Sequence, residues 1–222
     1  MARIARIVVP RYPHHVTQRG NRRQRTFFGE GDYAAYLDLM AEWCRRCRVE
    51  IWAYCLMPNH VHLLAVPASE DGLRRGIGEA HRRYTRRVNS RKRWRGHLWQ
   101  GRFASFVLDD HYLMAAARYV EMNPVRAGMV TRPQAYAWSS ASAHLKGRDD
   151  VLVKTAPLLA MVGNWRKFLS EPTAEETGAK LRLHERTGRP LGDERFLTKL
   201  ERRLHRVLKP KKPGRKPKTR RK

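Results

Sequence analysis

Apolar and polar positions along the chain switch repeatedly between two periods. Residues 14–19, His14-His15-Val16-Thr17-Gln18-Arg19, alternate as a strand does. Tyr33, Tyr36, Leu37, Met40, Trp43, Cys44 and Cys47 then recur at three and four, predicting a helix over 31–48 with Asp32 as N-cap. Residues 49–56 read as a strand, Met57-Pro58-Asn59 as a turn, and 60–66 as the second arm of a hairpin closed by Pro67. Leu73, Ile77, Ala80, Tyr84 and Val88 stripe a second helix over 71–91. Residues 103–108 give a last strand. Asp109-Asp110 then caps a helix over 111–122 that Pro124 stops, because the residue before proline avoids the helical region. On that helix Tyr112, Ala116, Tyr119 and Asn123 share one face, and Leu113, Ala117 and Val120 a neighbouring apolar one. The order strand, helix, strand, strand, helix, strand, helix predicts an α+β, ferredoxin-like βαββαβ sheet with an added helix.

Beyond Gly128 the pattern weakens to short helices over 153–162, 165–169, 174–185 and 193–208, the last two broken by Thr187-Gly188-Arg189-Pro190-Leu191-Gly192. Such a pair around a tight turn suits a small DNA-binding module or a helical extension packed on the core. Residues 209–222 alternate Pro, Gly and basic residues and predict a disordered tail that meets phosphates nonspecifically. The expected organisation is therefore 1–145 as the main domain, 146–208 as a helical extension and 209–222 as the tail.

Charge changes the picture. The 222 residues carry 47 Lys and Arg against 20 Asp and Glu, a net +27. Residues 199–222 hold 13 of those cations against Glu201, so more than half of the excess lies elsewhere and the folded part must have a positive face. Arg82, Arg83, Arg86, Arg87 and Arg95 crowd the second helix and the loop after it, with Glu79 the lone acid over 72–95. Like charges at that density repel unless a polyanion answers them. Nucleic acid is the expected partner, and Arg19 at the end of the first strand with Arg22 and Arg23 in the loop after it read as phosphate contacts or as a solvated turn. Trp94-Arg95-Gly96-His97-Leu98-Trp99-Gln100-Gly101-Arg102-Phe103 mixes aromatic and basic residues. In it Trp99 and Phe103 are expected in the core, and Arg95 and Arg102 on DNA. No long apolar run is present, so no membrane is expected and the chain reads as cytoplasmic, associated with the bacterial nucleoid. Cys44-Arg45-Arg46-Cys47 lies in a helical pattern without a second ligand pair, so Cys44, Cys47 and Cys55 read as reduced thiols rather than a zinc site.

The chemistry concentrates at His60-Val61-His62. Alternation puts both imidazoles on one strand face and Val61 and Leu63 on the other, which makes two arms of a metal site. Met57-Pro58-Asn59-His60-Val61-His62 resembles the His-hydrophobic-His signature of the HUH single-strand nucleases, and within them the single-tyrosine transposases of the IS200 type. Tyr119-Val120-Glu121-Met122-Asn123-Pro124-Val125-Arg126-Ala127-Gly128 resembles the tyrosine helix of their REP-associated branch, which ends in Asn-Pro-Val. The two motifs stand in the family's order, and the resemblance covers about residues 10–145.

That resemblance implies the strand order of a ferredoxin-like sheet and a catalytic role for the added helix. For Arg19, Arg22 and Arg23 it favours phosphate contact over a solvated turn, because the family's first strand and following loop approach DNA. It implies Tyr119 as the nucleophile, Asn123 as a third metal ligand one turn away, and single-stranded or hairpin DNA as substrate for a monomer or homodimer. Tyr112 is the rival nucleophile, but it sits roughly 10 Å further along the helix at about 1.5 Å per residue. A phenol with a reference pKa near ~10 is a poor nucleophile, and a phosphodiester is already anionic. A cation on the phosphate answers the second problem, and mixed imidazole and amide ligation suits Mg²⁺ or Mn²⁺ in an exchangeable site. The expected function is metal-dependent endonuclease and strand-transfer chemistry through a 5′-phosphotyrosine. A catalytically retired hairpin-binding protein is the alternative, disfavoured because both histidines, Tyr119 and Asn123 are all present. An RNA-binding ferredoxin-like module would want exposed aromatics on the sheet, where this chain has histidines.

Overall fold

The computed structural model describes residues 6–172 and 174–208. The tail expected over 209–222 lies outside them. The elements that build the sheet and its covers are β1 (His14–Arg19), α1 (Glu30–Arg46), β2 (Val49–Met57), β3 (His60–Pro67), α2 (Gly72–Lys92), β4 (Ala104–Val107) and α3 (Asp110–Glu121). The sheet is antiparallel with order β2-β3-β1-β4, the order of a ferredoxin-like fold. The expected α+β class is the observed one.

Strand alternation divides the molecule into two layers of core. Val16, Ile51, Tyr54, Val61, Leu63 and Ala65 face α1 and α2, and meet Tyr36, Met40, Leu73, Ile77 and Tyr84 there. Ala53, Cys55, Leu64 and Phe106 face the other way, onto Leu113, Ala117 and Val120 of α3. Because side chains alternate, the even positions of β3 carry His60, His62 and Leu64 to the α3 side. The β1 register sets Thr17 opposite His62 and His15 opposite Leu64, so the two histidine-bearing strands lie side by side in the middle of the sheet.

Local details differ from the sequence reading in instructive ways. Asp32 does not cap α1; Gly29 holds that position. Asp32 is instead buried, accepts from the Phe28 amide at 2.8 Å and pairs with Arg91 across to α2. Burial pushes its carboxyl up, but Arg91 and the Phe28 amide win and hold it below the ordinary carboxylate range. Asp109 does cap α3, accepting from the Tyr112 amide at 2.8 Å. The helix ends at Met122, and the chain starts a fresh turn, α4 (Asn123–Arg126), with Pro124 near its start, where a missing N–H costs nothing.

The remaining helices are α5 (Ala141–Lys146), α6 (Ala156–Leu159), α7 (Trp165–Ser170), α8 (Glu175–Thr187) and α9 (Glu194–Leu204). The helix expected over 153–162 shrinks to α6, because Val153 pairs with Ile51 as an isolated bridge on the edge of β2. The last two helices lie on the main fold. Leu181 of α8 and Leu191 join the α3 core, while Leu200 of α9 and Leu208 pack with Ile7, Val9 and Val107. Asp109 also accepts from the Asp193 amide at 3.0 Å, so one carboxylate caps α3 and anchors the entry to α9. Among the described residues no helix is long and apolar enough to cross a membrane.

Candidate active site

Three histidines converge on the α3 side of the sheet. The His60 and His62 rings are 5.0 Å apart, and the His15 ring stacks on His62 at 5.2 Å. Tyr119 completes the group: its ring is 5.8 Å from His62 and 6.3 Å from His15, edge-on to both. Tyr112 stands apart, in the first turn of α3 against His111, where it interacts with Lys180. Tyr119 is buried, and over its ring lies the exposed guanidinium of Arg126, 3.7 Å from the centroid. Arg126 also reaches the Asn123 amide oxygen at 3.4 Å. On another side, Gly178 of α8 packs against Tyr119: a Cβ there would stand 3.8 Å from Cε2 of the ring.

Hydrogen bonds fix which nitrogens are available. The Asn59 amide nitrogen donates to the Arg23 carbonyl at 3.0 Å, so its oxygen faces His60 Nδ1 at 2.6 Å and accepts that proton. His60 Nε2 is therefore a bare lone pair. His62 Nδ1 meets His15 Nε2 at 3.0 Å, which leaves His62 Nε2 as its second ring nitrogen. Burial, with Arg19 and Arg23 nearby, pushes His60 down to about 4. Burial foremost, then the neighbouring histidines, Arg19 and Arg126, holds His62 well below the ordinary histidine value. Burial alone takes His15 to about 3. All three rings are neutral at pH 7, the state a metal ligand needs.

Imidazole and amide donors without a carboxylate would hold a divalent cation only weakly. Among the described residues no cluster of three His, Cys, Asp or Glu side chains is set to hold a metal. Two neutral imidazoles are available. Asn123 is buried with its amide nitrogen unpartnered, and its oxygen has only the long contact to Arg126. Around them stand cations, Arg19, Arg23 and Arg126, and no carboxylate acts on His60 or His62. Such a ring of positive charge suits an anion and opposes a lone metal ion. Glu121, two residues past Tyr119, is not in the site: it is fully buried and bonded to Ser140, His144 and Trp165.

The arginines expected on DNA do not form one surface. Arg19 and Arg23 are close enough to the histidines to shift His60. Arg22 and Arg95 are exposed. Gly20 ends β1 so tightly that a Cβ would meet the Gln24 carbonyl at 2.2 Å, which fixes the path of the Arg22 and Arg23 loop. Arg82, Arg86 and Arg102 line a cleft between α2 and the 96–103 loop. Arg83 shares Glu79 with Arg82 but lies over Trp43 of α1, and Arg87 acts on Asp32. The sequence reading passed over His15 and Arg126. Arg126 was findable, since seven residues from Tyr119 is about two helical turns; His15 was not, because its partner comes from strand pairing.

A four-stranded antiparallel sheet with paired histidines facing a tyrosine helix has known relatives. The chain belongs to the IS200-like transposase family, whose model matches residues 8–123. It is 28% identical over 114 residues to a Haemophilus influenzae protein named as a REP-associated tyrosine transposase, a match covering 46% of this chain and 65% of that one. The chain thus spans just under two thirds of that relative's length. Among solved structures, a REP-associated tyrosine transposase bound to a REP hairpin superposes with a TM-score of 0.54 at 18% identity, over 69% of this chain and 92% of that one. A transposase from Deinococcus radiodurans covers 54% of this chain and 96% of its own at 21% identity, with a TM-score of 0.39 too low to argue from.

Proposed function

We propose that this chain is a tyrosine nuclease and strand transferase acting on single-stranded or hairpin DNA. The observation that carries the reading is the packing of Tyr119 against the His62 and His15 rings, with Arg126 over its face. The Tyr119 oxygen attacks the scissile phosphorus, a P–O bond to tyrosine forms, and the P–O3′ bond breaks. The Tyr119 hydroxyl gives up its proton as its bond to phosphorus forms, and the 3′ oxygen leaves with the electron pair and takes up one proton, so protons balance as well. The count of phosphoester bonds is unchanged, so a 3′-hydroxyl reverses the step without an external energy source. Arg126, Arg19 and Arg23 attract and orient the phosphate, whose charge their own charges match. His60 Nε2, His62 Nε2 and the Asn123 amide oxygen are the groups that would hold Mg²⁺ or Mn²⁺, which supplies charge stabilisation on the phosphate and the leaving oxygen.

Family membership supports a transposase-class activity, and the hairpin in the solved neighbour supports hairpin DNA as the partner. The basic positions Arg22, Arg82, Arg83, Arg86, Arg87, Arg95 and Arg102 are assigned to DNA affinity, most directly those in the α2 cleft. The test uses a hairpin oligonucleotide labelled at its 5′ or 3′ end and denaturing electrophoresis. Wild type and Tyr112→Phe should form a covalent adduct with the fragment 3′ of the cut, whereas Tyr119→Phe should form none. An adduct with Tyr119→Phe would remove the assignment.

A further inference from the structure

α8 brings a second guanidinium to Tyr119. The Cβ position of Gly178 lies 3.8 Å from Tyr119 Cε2 and 3.3 Å from Arg182 Nη1, so the guanidinium stands beside the ring. Cε2 adjoins the carbon that carries the hydroxyl, which puts Arg182 at the reacting end of the phenol. Helix geometry explains the approach: side chains lean towards the N-terminus, so residue 182 covers the turn at residue 178. Leu181, buried in the same core cluster as Tyr119, fixes the rotation of α8. Gly178 leaves the room. Glycine inside a helix is costly against alanine, yet an alanine methyl here would crowd Arg182 Nη1.

Arg182 and Arg126 line one cavity of about 480 Å³ between α4 and α8, with Asn123 and Gly178 in its wall. Sites for small ligands run from roughly 300 to 1,000 Å³, so a nucleotide-sized group fits. Both arginines are exposed, and neither makes an ion pair among the described residues. Of the two acids that open α8, Glu176 pairs with Lys180 at 2.8 Å, and Glu175 alone lies in the cavity wall. Two guanidiniums in one cavity repel each other until an anion joins them.

We infer that Arg182 is a phosphate ligand of the cleavage site, binding from α8 the phosphodiester that Arg126 binds from α4. The inference rests on the function proposed above. It gives part of the phosphate recognition to a helix that follows the family-matched residues 8–123. A guanidinium suits the role because its paired N–H donors match two phosphate oxygens and its charge persists at any working pH.

The test pairs one backbone charge with one side chain. Hairpin oligonucleotides with a short single-stranded flank, each carrying one neutral methylphosphonate linkage, are titrated by fluorescence anisotropy without divalent cation. The proteins are the full chain as wild type, Arg182→Ala and Arg182→Lys. Arg182 is exposed, so the fold should survive, and urea unfolding checks that it does. On unmodified DNA Arg182→Ala should bind about tenfold less tightly, as expected for one charged hydrogen-bonded contact. Its affinity should also fall less steeply with log salt, the slope dropping by about 0.7–0.9 for one lost phosphate contact. Wild type should lose the same factor at one linkage, and there Arg182→Ala should lose nothing further. Arg182→Lys should keep the salt slope and part of the affinity, because it keeps the charge and lacks the fork. Unchanged affinity of Arg182→Ala, or equal methylphosphonate losses in wild type and Arg182→Ala at every linkage, overturns the contact. The proposed function then still stands if wild type forms its covalent adduct. Coupling at one linkage in a wild type that forms no adduct keeps the contact and overturns that function. No binding of wild type to any of these DNAs overturns both.

Discussion

The guanidinium of Arg126 lies 3.7 Å from the centre of the Tyr119 ring and 3.4 Å from the Asn123 oxygen, so one exposed side chain joins the proposed nucleophile to the proposed third ligand. α4 makes this possible. Met122 keeps a helical backbone and the Arg126 amide donates to its carbonyl at 3.0 Å, so residue 126 follows residue 119 by about two turns on one face.

Arg126→Ala is therefore expected to slow single-turnover cleavage of a hairpin by roughly 10²–10³-fold, the range for removing one donor to a developing charge. Stability should change by about 1 kcal/mol or less, since the stacked cation is at the surface. Arg126→Lys should recover part of the rate, keeping the charge and losing the planar stack. A cleavage rate within threefold of wild type for Arg126→Ala would show that the stack is only packing.

His15 is expected to tune the metal requirement without touching substrate. Its Nε2 meets His62 Nδ1 at 3.0 Å, and a His62 Nε2 lone pair requires the shared proton on the His62 side of that bond. His15→Leu removes the acceptor and frees the ring to turn. The Mn²⁺ concentration for half-maximal cleavage should rise roughly 10–100-fold, the usual cost of losing such a partner. The rate at saturating Mn²⁺ should largely return. An unchanged Mn²⁺ titration would refute the positioning role.

The fold was largely legible because its signals are local. The β3 alternation, the α2 stripe and the Asp109 cap are short-range patterns, and each element appeared within a few residues of its expected place. Within the site, the expected residues His60 and His62 come from one strand and Tyr119 from one helix, so spacing alone put each on a stated face. What could not be read depends on pairing at a distance. His15 meets His62 only through the β1–β3 register. Asp32 looked like an N-cap because its partner, Arg91, is 59 residues away. Arg82 and Arg83 are neighbours in one charge run, yet helix geometry sends one to the cleft and the other to Trp43.

Acid should destabilise the chain before its carboxylates titrate. His14, His15 and His81 are buried and neutral, with values of about 4, 3 and 3. An unfolded histidine titrates near ~6.5, so below that pH the unfolded chain binds protons that the native chain refuses. Stability is complete above about pH 6.5 and falls as pH drops through the window down to about 4, by roughly 1.4 kcal/mol per pH unit for each such ring. Urea midpoints measured from pH 7 to 5 should fall steeply, and His81→Phe should flatten the slope by about one ring's share. A flat profile would mean that these rings protonate in the native state.

Glu121 should prove to be the anchor of the tyrosine helix rather than part of its chemistry. Its carboxylate is completely buried and accepts from Ser140 Oγ at 2.5 Å, His144 Nδ1 at 2.6 Å and Trp165 Nε1 at 2.9 Å. Those donors come from the residue before α5, from α5 itself and from α7, so one side chain ties α3 to the chain that follows it. Glu121→Ala leaves the buried His144 and Trp165 ring donors unanswered, leaves the Ser140 hydroxyl only the Tyr54 carbonyl at 3.3 Å, and opens a cavity beside them; removing one partner of such a buried pair costs about 3–5 kcal/mol. Glu121→Gln keeps the volume and one acceptor oxygen but turns an N–H₂ towards donors, so it should fall between the two. Urea unfolding gives the stabilities, and the Mn²⁺ titration of hairpin cleavage separates anchoring from ligation. An anchor lowers the amount of folded, active chain and leaves the half-maximal Mn²⁺ concentration of the folded fraction unchanged. A ligand would raise it. A large shift in that concentration for Glu121→Gln, with stability close to wild type, would place the carboxylate in the site and displace Asn123 as the third ligand.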